Sequence, residues 1–226
     1  MTLLLALDTS TTQIGVALYD GDRVLAEVYW QSGRRHTREL APLVAEVLRH
    51  TGFVQEDVDA VGVALGPGSF TGLRIGLAFA KGFALPRGLP LIGVPTLAAV
   101  AAAVPLQPGY PELAAVLPAG RGRLAVGWYT AEDEGWQPRG EPRVFTPEDL
   151  AAHIRKPTVV CGEMAPEARA RVARKYKTVA LPDPVTCARR PAHLAALAWT
   201  RWQQGQTDTA ASLAPIYLHT GTPIPA

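Results

Sequence analysis

The sequence predicts an α/β protein built from two similar lobes, and three observations carry that expectation. An apolar run, Ala60 to Leu65, ends in the glycine-rich turn Gly66-Pro67-Gly68-Ser69 and passes into a helical pattern from Thr71 to Leu85. The elements before and around that turn read βββ, α, β, α, β, α. After the proline-rich stretch Pro105 to Pro111 nearly the same order returns.

The elements follow from local pattern. Leu3 to Leu7 is a continuous apolar run closed by Asp8, and the hydroxyl residues Thr9 to Thr12 lead into a second strand at Ile14 to Tyr19. The Asp20-Gly21-Asp22 turn precedes a third strand, Val24 to Gln31. His36 and Thr37 open a helix with Leu40, Val44, Val47 and Leu48 on one stripe and Gly52 past its end; His36 is read as a helix-start residue. The turn at Gly66 and its helix follow, then a strand at Leu91 to Val94 and a helix from Pro95-Thr96 to about Val104.

Beyond the linker, strands are expected at Leu113–Leu117, Leu124–Thr130 and Arg139–Phe145, and Thr146-Pro147-Glu148-Asp149 starts a helix. A strand at Thr158–Cys161, a helix Pro166–Tyr176, a strand Val179–Leu181 and a helix Pro191–Gln204 complete the order. Repetition of this order points to the duplicated actin-like ATPase (ASKHA, ribonuclease H-like) fold. Its lobes are drawn at residues 1–104 and 105–226, with a return of the C-terminal segment onto the first lobe left open.

Composition narrows the function classes. With 226 residues, 48% hydrophobic, 19% charged and a formal net charge of +2, the chain reads as globular, without a nucleic-acid footprint of its own. No apolar run approaches the ~20 residues of a membrane span, and Met1 leads straight into a strand, so a cytoplasmic protein is expected. Cys161 and Cys187 form no CxxC pattern and are read as two buried thiols. His36, His50, His153, His193 and His219 have no paired ligand spacing, so no metal is expected.

Two loops of the first lobe could meet phosphate. Glycines let a backbone approach a ligand, and the first amides of the following helix are free to face an anion, which makes Gly66, Gly68, Ser69 and Gly72 candidates. Asp8 at a strand end, followed by Thr9 and Ser10, could hold a metal-bound phosphate chain; the same residues are also ordinary turn formers. The glycine loop is neither a Walker loop, since Leu73 and Arg74 follow Gly72, nor a dinucleotide fingerprint, since the spacing is one residue too long. In the second lobe the matching hairpin tip, Pro118-Ala119-Gly120-Arg121-Gly122-Arg123, has no carboxylate, and the turn at Cys161-Gly162-Glu163 has a single glycine. Arg121 and Arg123 either meet an anion or solvate the turn. A stand-alone ATPase or phosphotransferase would need carboxylates in both lobes, and a metallopeptidase would need metal ligands.

Five pieces of sequence resemble one family: Leu4 to Thr11, His36 to Pro42, Gly66 to Gly76, Gly93 to Leu97 and Pro215 to Leu218. In order and spacing they are similar to the TsaB (YeaZ) family of bacterial tRNA threonylcarbamoyladenosine biosynthesis proteins, and they span nearly the whole chain. The resemblance implies an actin-like protein that is itself non-catalytic. Its partners would be TsaD, which transfers threonylcarbamoyl to the adenosine beside the anticodon, and the ATPase TsaE, with tRNA met only through the complex. It implies vestigial phosphate loops, hence no cofactor beyond weak ATP binding. The catalytic paralogue has two metal-binding histidines where Thr96 and Val100 stand here, and the family's Asp-Ala-Arg-like run is replaced by Pro118-Ala119-Gly120-Arg121.

Two helices are expected to dock a partner. The apolar positions near His36 to His50 cover an arc of roughly 200°, and those from Thr71 to Leu85 go nearly all the way round. Leu43, Ala45, Ile75, Ala78 and Phe79 are therefore the expected interface, pairing with a second copy in a homodimer or with their counterparts in TsaD.

Overall fold

The computed structural model describes residues 1–133 and 135–218, so His219 and the end of the expected second lobe lie outside the described residues. The described residues divide into two units, Met1–Ala99 with Arg189–Pro215, and Val100–Ala188 with residues 216–218.

The first unit is a five-stranded sheet in the order β3-β2-β1-β4-β5, made of β1 (Leu4–Asp8), β2 (Gln13–Tyr19), β3 (Val24–Gln31), β4 (Ala60–Gly66) and β5 (Leu91–Pro95). Strands β1, β2 and β3 pair antiparallel, whereas β4 pairs parallel to β1 and to β5. Both sheet faces are covered, which is why β1 reads as an unbroken apolar run. Leu5 and Leu7 turn to a core shared with α1 (His36–Thr51) and α2 (Phe70–Ala84), while Leu4 and Ala6 turn to the opposite face.

That opposite face is closed by α6 (Pro191–Gln203), whose Leu194, Ala195 and Ala198 are fully buried. Small residues allow the close approach. A Cβ on Gly15 would lie 3.2 Å from the Pro191 ring, and one on Gly62 would lie 2.7 Å from the Ala198 methyl group. Helix α6, placed by chain order in the second lobe, thus belongs to the first unit. The unit boundary also falls at Ala99, inside α3 (Thr96–Ala102), rather than in the proline-rich stretch.

The second unit is a six-stranded sheet built on the order β11-β10-β6-β7-β8, with β9 also pairing β7. Its strands are β6 (Glu112–Pro118), β7 (Leu124–Glu132), β8 (Gly135–Pro138), β9 (Arg143–Phe145), β10 (Thr158–Gly162) and β11 (Val179–Ala180). The core joins Val116, Val126, Trp128 and Val160 to Leu150 of α4 (Pro147–His153) and Val172 of α5 (Pro166–Ala173). Of the strand expected at Arg139–Phe145 only the last three residues are strand, as β9, and β8 lies wholly before the expected range at Gly135–Pro138. Gly140 sits at φ 70°, and Pro142 beside it brings no amide to a ladder, so β8 ends at Pro138 and pairing resumes at Arg143.

Candidate functional site

The end of β1 and the start of α2 form one interlocked cluster. Asp8 closes the buried strand, and its Oδ1 accepts from the Ser10 amide at 2.9 Å and from Ser10 Oγ at 2.5 Å. The carboxylate thereby holds its own turn in shape. Its other oxygen, Oδ2, accepts from Nε of Arg189 at 2.6 Å, and the Arg189 Nη2 donates to Thr11 Oγ1 at 3.0 Å. The side chains of Arg189 and Asp8 keep only 1% and 4% of their surface exposed.

The glycine loop packs directly on this turn. The Ser69 amide donates to the Ser10 carbonyl at 2.6 Å, and Thr9 Oγ1 donates to the Gly72 carbonyl at 2.7 Å. A Cβ on Gly68 would overlap the Ser10 carbonyl, and one on Gly72 would overlap the Thr9 carbonyl. Glycine is required at both positions by close approach of the backbone. Gly66, at φ 114°, donates its amide to Thr96 Oγ1 at 3.0 Å. Ser69 is the N-cap of α2, its Oγ accepting from the Gly72 amide at 3.2 Å, an arrangement worth about 1 kcal/mol.

All seven loop residues singled out from sequence, Asp8, Thr9, Ser10, Gly66, Gly68, Ser69 and Gly72, therefore meet in one place, joined by Thr11 of the same hydroxyl run and by Arg189, to which the sequence assigned no role. Arg189 and Arg190 stand just before α6, where the helix dipole disfavours cations. Each is paired: Arg190 Nε donates to Glu27 at 2.8 Å, and Glu27 also accepts from the Ala192 amide at 2.9 Å. Two adjacent arginines opening a helix were the available signal. His36, the first residue of α1, is buried with Nε2 3.4 Å from the Gln13 carbonyl, beside the same turn.

The interface residues separate. Leu43 is 2% exposed and packs in the core of the first unit, a correction to its expected surface position: the inner side of the wide apolar arc faces the sheet. Ala45 and Phe79 line an apolar groove of about 700 Å³ on α1 and α2, together with Val44, Leu48, Phe53 and Phe83. Ile75 is half-buried against the core, and Ala78 is exposed on α2. Helix α2 is thus not buried all round: Gly72, Leu73, Gly76, Leu77, Ala80 and Ala84 are inside, and Phe79 and Phe83 remain half-covered, stacked on each other at 6.0 Å.

In the second unit, the hairpin tip after β6 turns through three consecutive residues of positive φ, Gly120, Arg121 and Gly122. It borders a cleft of about 410 Å³ whose lining mixes Arg123 and Arg171 with Glu148 and Glu167. Arg171 is taken by Glu148 at 2.5 Å. Among the described residues no three potential metal-ligating side chains come together, and no helix is long and apolar enough to cross a membrane.

Comparison with known proteins agrees with this architecture. A family model described as TsaD, tRNA N6-adenosine threonylcarbamoyltransferase, matches residues 24–213. The chain is 35% identical over 146 residues to the tRNA threonylcarbamoyladenosine biosynthesis protein TsaB of Escherichia coli; the match covers 64% of this chain and 63% of that protein, just under two thirds of its length. The structure of YeaZ from Pseudomonas aeruginosa superposes with a TM-score of 0.76 at 27% identity, covering 96% of this chain and all of that one. Component A of (R)-2-hydroxyglutaryl-CoA dehydratase from Acidaminococcus fermentans, at 12% identity and a TM-score of 0.52 over 89% of this chain and 99% of that one, shares the fold alone. The fold is the duplicated actin-like one, and the chain belongs to the family of tRNA N6-adenosine threonylcarbamoyltransferase proteins, on its TsaB (YeaZ) branch.

Proposed function

We propose that this chain is a non-catalytic partner subunit in the formation of threonylcarbamoyladenosine on tRNA. It would act in the cytoplasm with TsaD, which performs the transfer, and with TsaE, meeting tRNA only through the complex. The observation that carries this reading is the buried pair of Asp8 and Arg189. A strand-end carboxylate that serves a nucleotide must be free to hold a hydrated magnesium ion. Here one oxygen is committed to Ser10 and the other to a guanidinium that already neutralises it.

The loops do not fit a magnesium-bound triphosphate. The carbonyl oxygens of Thr9 and Ser10 lie against the α2 entrance, and the Ser69 and Gly72 amides are already bonded within the cluster. An anion entering there would meet carbonyl dipoles of the wrong sign. Thr96 and Val100, the counterparts of the paralogue's histidines, are both buried, and Thr96 Oγ1 serves the Gly66 amide. Valine has no metal-binding atom.

The apolar groove on α1 and α2 is the surface we assign to docking: the counterpart helices of TsaD in the complex, and the same helices of a second copy when the chain is alone. Reconstitution tests the whole reading. Modification of tRNA by TsaD and TsaE is expected to need this chain, while the chain alone transfers nothing and shows no sub-micromolar ATP affinity by calorimetry with magnesium. Tight ATP binding, a gain of about 8 kcal/mol or more, would instead favour the stand-alone ATPase.

A further inference from the structure

The chain contains two cysteines, and the second unit brings them together. Cys161 lies on β10 and is fully buried; Cys187 lies 26 residues later in a surface turn and is 6% exposed. The Cys161 thiol donates to Cys187 Sγ at 3.0 Å. The turn that carries Cys187 is held by its own bonds: the Thr186 amide donates to Asp183 Oδ1 at 2.9 Å and the Cys187 amide to the Asp183 carbonyl at 3.1 Å. Val185 within it is 84% exposed, so the turn is open to solvent on its outer side.

The surroundings distinguish the two sulfurs. The hydrogen bond from Cys161 holds the Cys187 thiol below the usual thiol range, helped by the Gly162 amide and by Arg169 and opposed by burial. Donating that bond, together with burial, raises Cys161. The Arg169 guanidinium is fixed nearby, donating to the Leu181 carbonyl at 3.3 Å and to that of Pro182. A cation beside the outer sulfur and a second sulfur in contact behind it are the parts of an attacking and a resolving thiol.

We infer that Cys161 and Cys187 are a reversible redox pair that closes an internal disulfide when hydrogen peroxide reaches the turn. In the first step the Cys187 thiolate attacks one peroxide oxygen and the O–O bond breaks. This leaves a sulfenic acid on Cys187 and a hydroxide, which takes up a proton to become water. In the second step Cys161 loses its proton and attacks Cys187 Sγ, expelling the hydroxyl as a second water. Two thiols are oxidised by two electrons and one peroxide is reduced to two waters. The bond would staple β10 to the turn across the segment carrying α5 and β11, two residues before Arg189.

The test uses the full chain in its native state. After treatment with hydrogen peroxide, blocking of remaining thiols by iodoacetamide in denaturant and intact mass measurement, the expected result is a loss of about 2 Da with no alkyl group added, reversed by dithiothreitol. In Cys161→Ala the sulfenic acid on Cys187 is expected to persist and to be captured by dimedone. The wild-type mass decides the matter even where the variant fails to fold. Two alkylated thiols after peroxide, a sulfinic acid on Cys187, or a covalent link between copies would each overturn the assignment.

Discussion

Arg189 and Asp8 stand 181 residues apart in the chain and 2.6 Å apart in the first unit, with almost none of either side chain exposed. Removing one partner of such a pair strands the other charge in a place that water does not reach. Arg189→Met is therefore expected to cost about 3–5 kcal/mol of stability. The double variant with Asp8→Asn, which keeps an oxygen for Ser10, is expected to lose clearly less than the sum of the two single changes. Urea unfolding of the three variants measures the coupling, and additive losses would show that the pair is not coupled.

Much of this unit was legible because its signals are local. The apolar run of β1, the hydroxyl turn after Asp8 and the glycine loop before α2 each lie within a few residues, and they fall at one cluster. Arg189 was not legible as part of it, since nothing in Arg189-Arg190-Pro191 names a partner so far back in the chain. The return of helix α6 to the first unit stays open at the level of sequence, because chain order says nothing about which sheet a returning helix covers. The small residues Gly15 and Gly62, facing Pro191 and Ala198, did hold that information. Leu43 was misplaced because a wide apolar arc does not say which edge faces the sheet.

The glycines of α2 give a contrast that separates close approach from plain helix economy. Gly72→Ala would drive a methyl group into the Thr9 carbonyl and is expected to destabilise by roughly 1–3 kcal/mol or more. Gly82 is exposed in the same helix with nothing within 4 Å of a Cβ. Gly82→Ala is expected to stabilise the monomer by about 0.5–1 kcal/mol, through the unfolded chain's lost freedom. Thermal unfolding of both variants should move in opposite directions; a shared direction would contradict the packing described.

His193 on α6 gives the stability a pH dependence of definite sign. Burial, and then the nearby Arg190, push its pKa below the ordinary 6.5, with Glu27 acting weakly the other way. The unfolded chain thus binds this proton more readily than the folded one, so the contribution is complete above about 6.5 and is lost as pH falls through the depressed value. The midpoint of thermal unfolding is expected to fall between pH 7.5 and 5 by more in the wild type than in His193→Gln. Equal losses would show that His193 is not the group responsible.

The groove on α1 and α2 makes the strongest demand on the proposed role. Ala45 is exposed on its lining, so an arginine there can reach water in the isolated chain without disturbing the core that holds Val44 and Leu48. Once two helical faces close over the groove, the same guanidinium must either lose its water unpaired or hold the faces apart. Ala45→Arg is therefore expected to leave thermal unfolding of the chain within about 0.5 kcal/mol of wild type. Self-association and binding to TsaD are both expected to weaken by roughly 100-fold or more, about 2.7 kcal/mol. Sedimentation reads the first and calorimetry with TsaD the second. Loss of both assigns one surface to the two partners. A folded variant that keeps both unchanged would place the interface elsewhere, and with it the role of Phe79 and Phe83, whose stacked rings would then need another reason to stay half-covered.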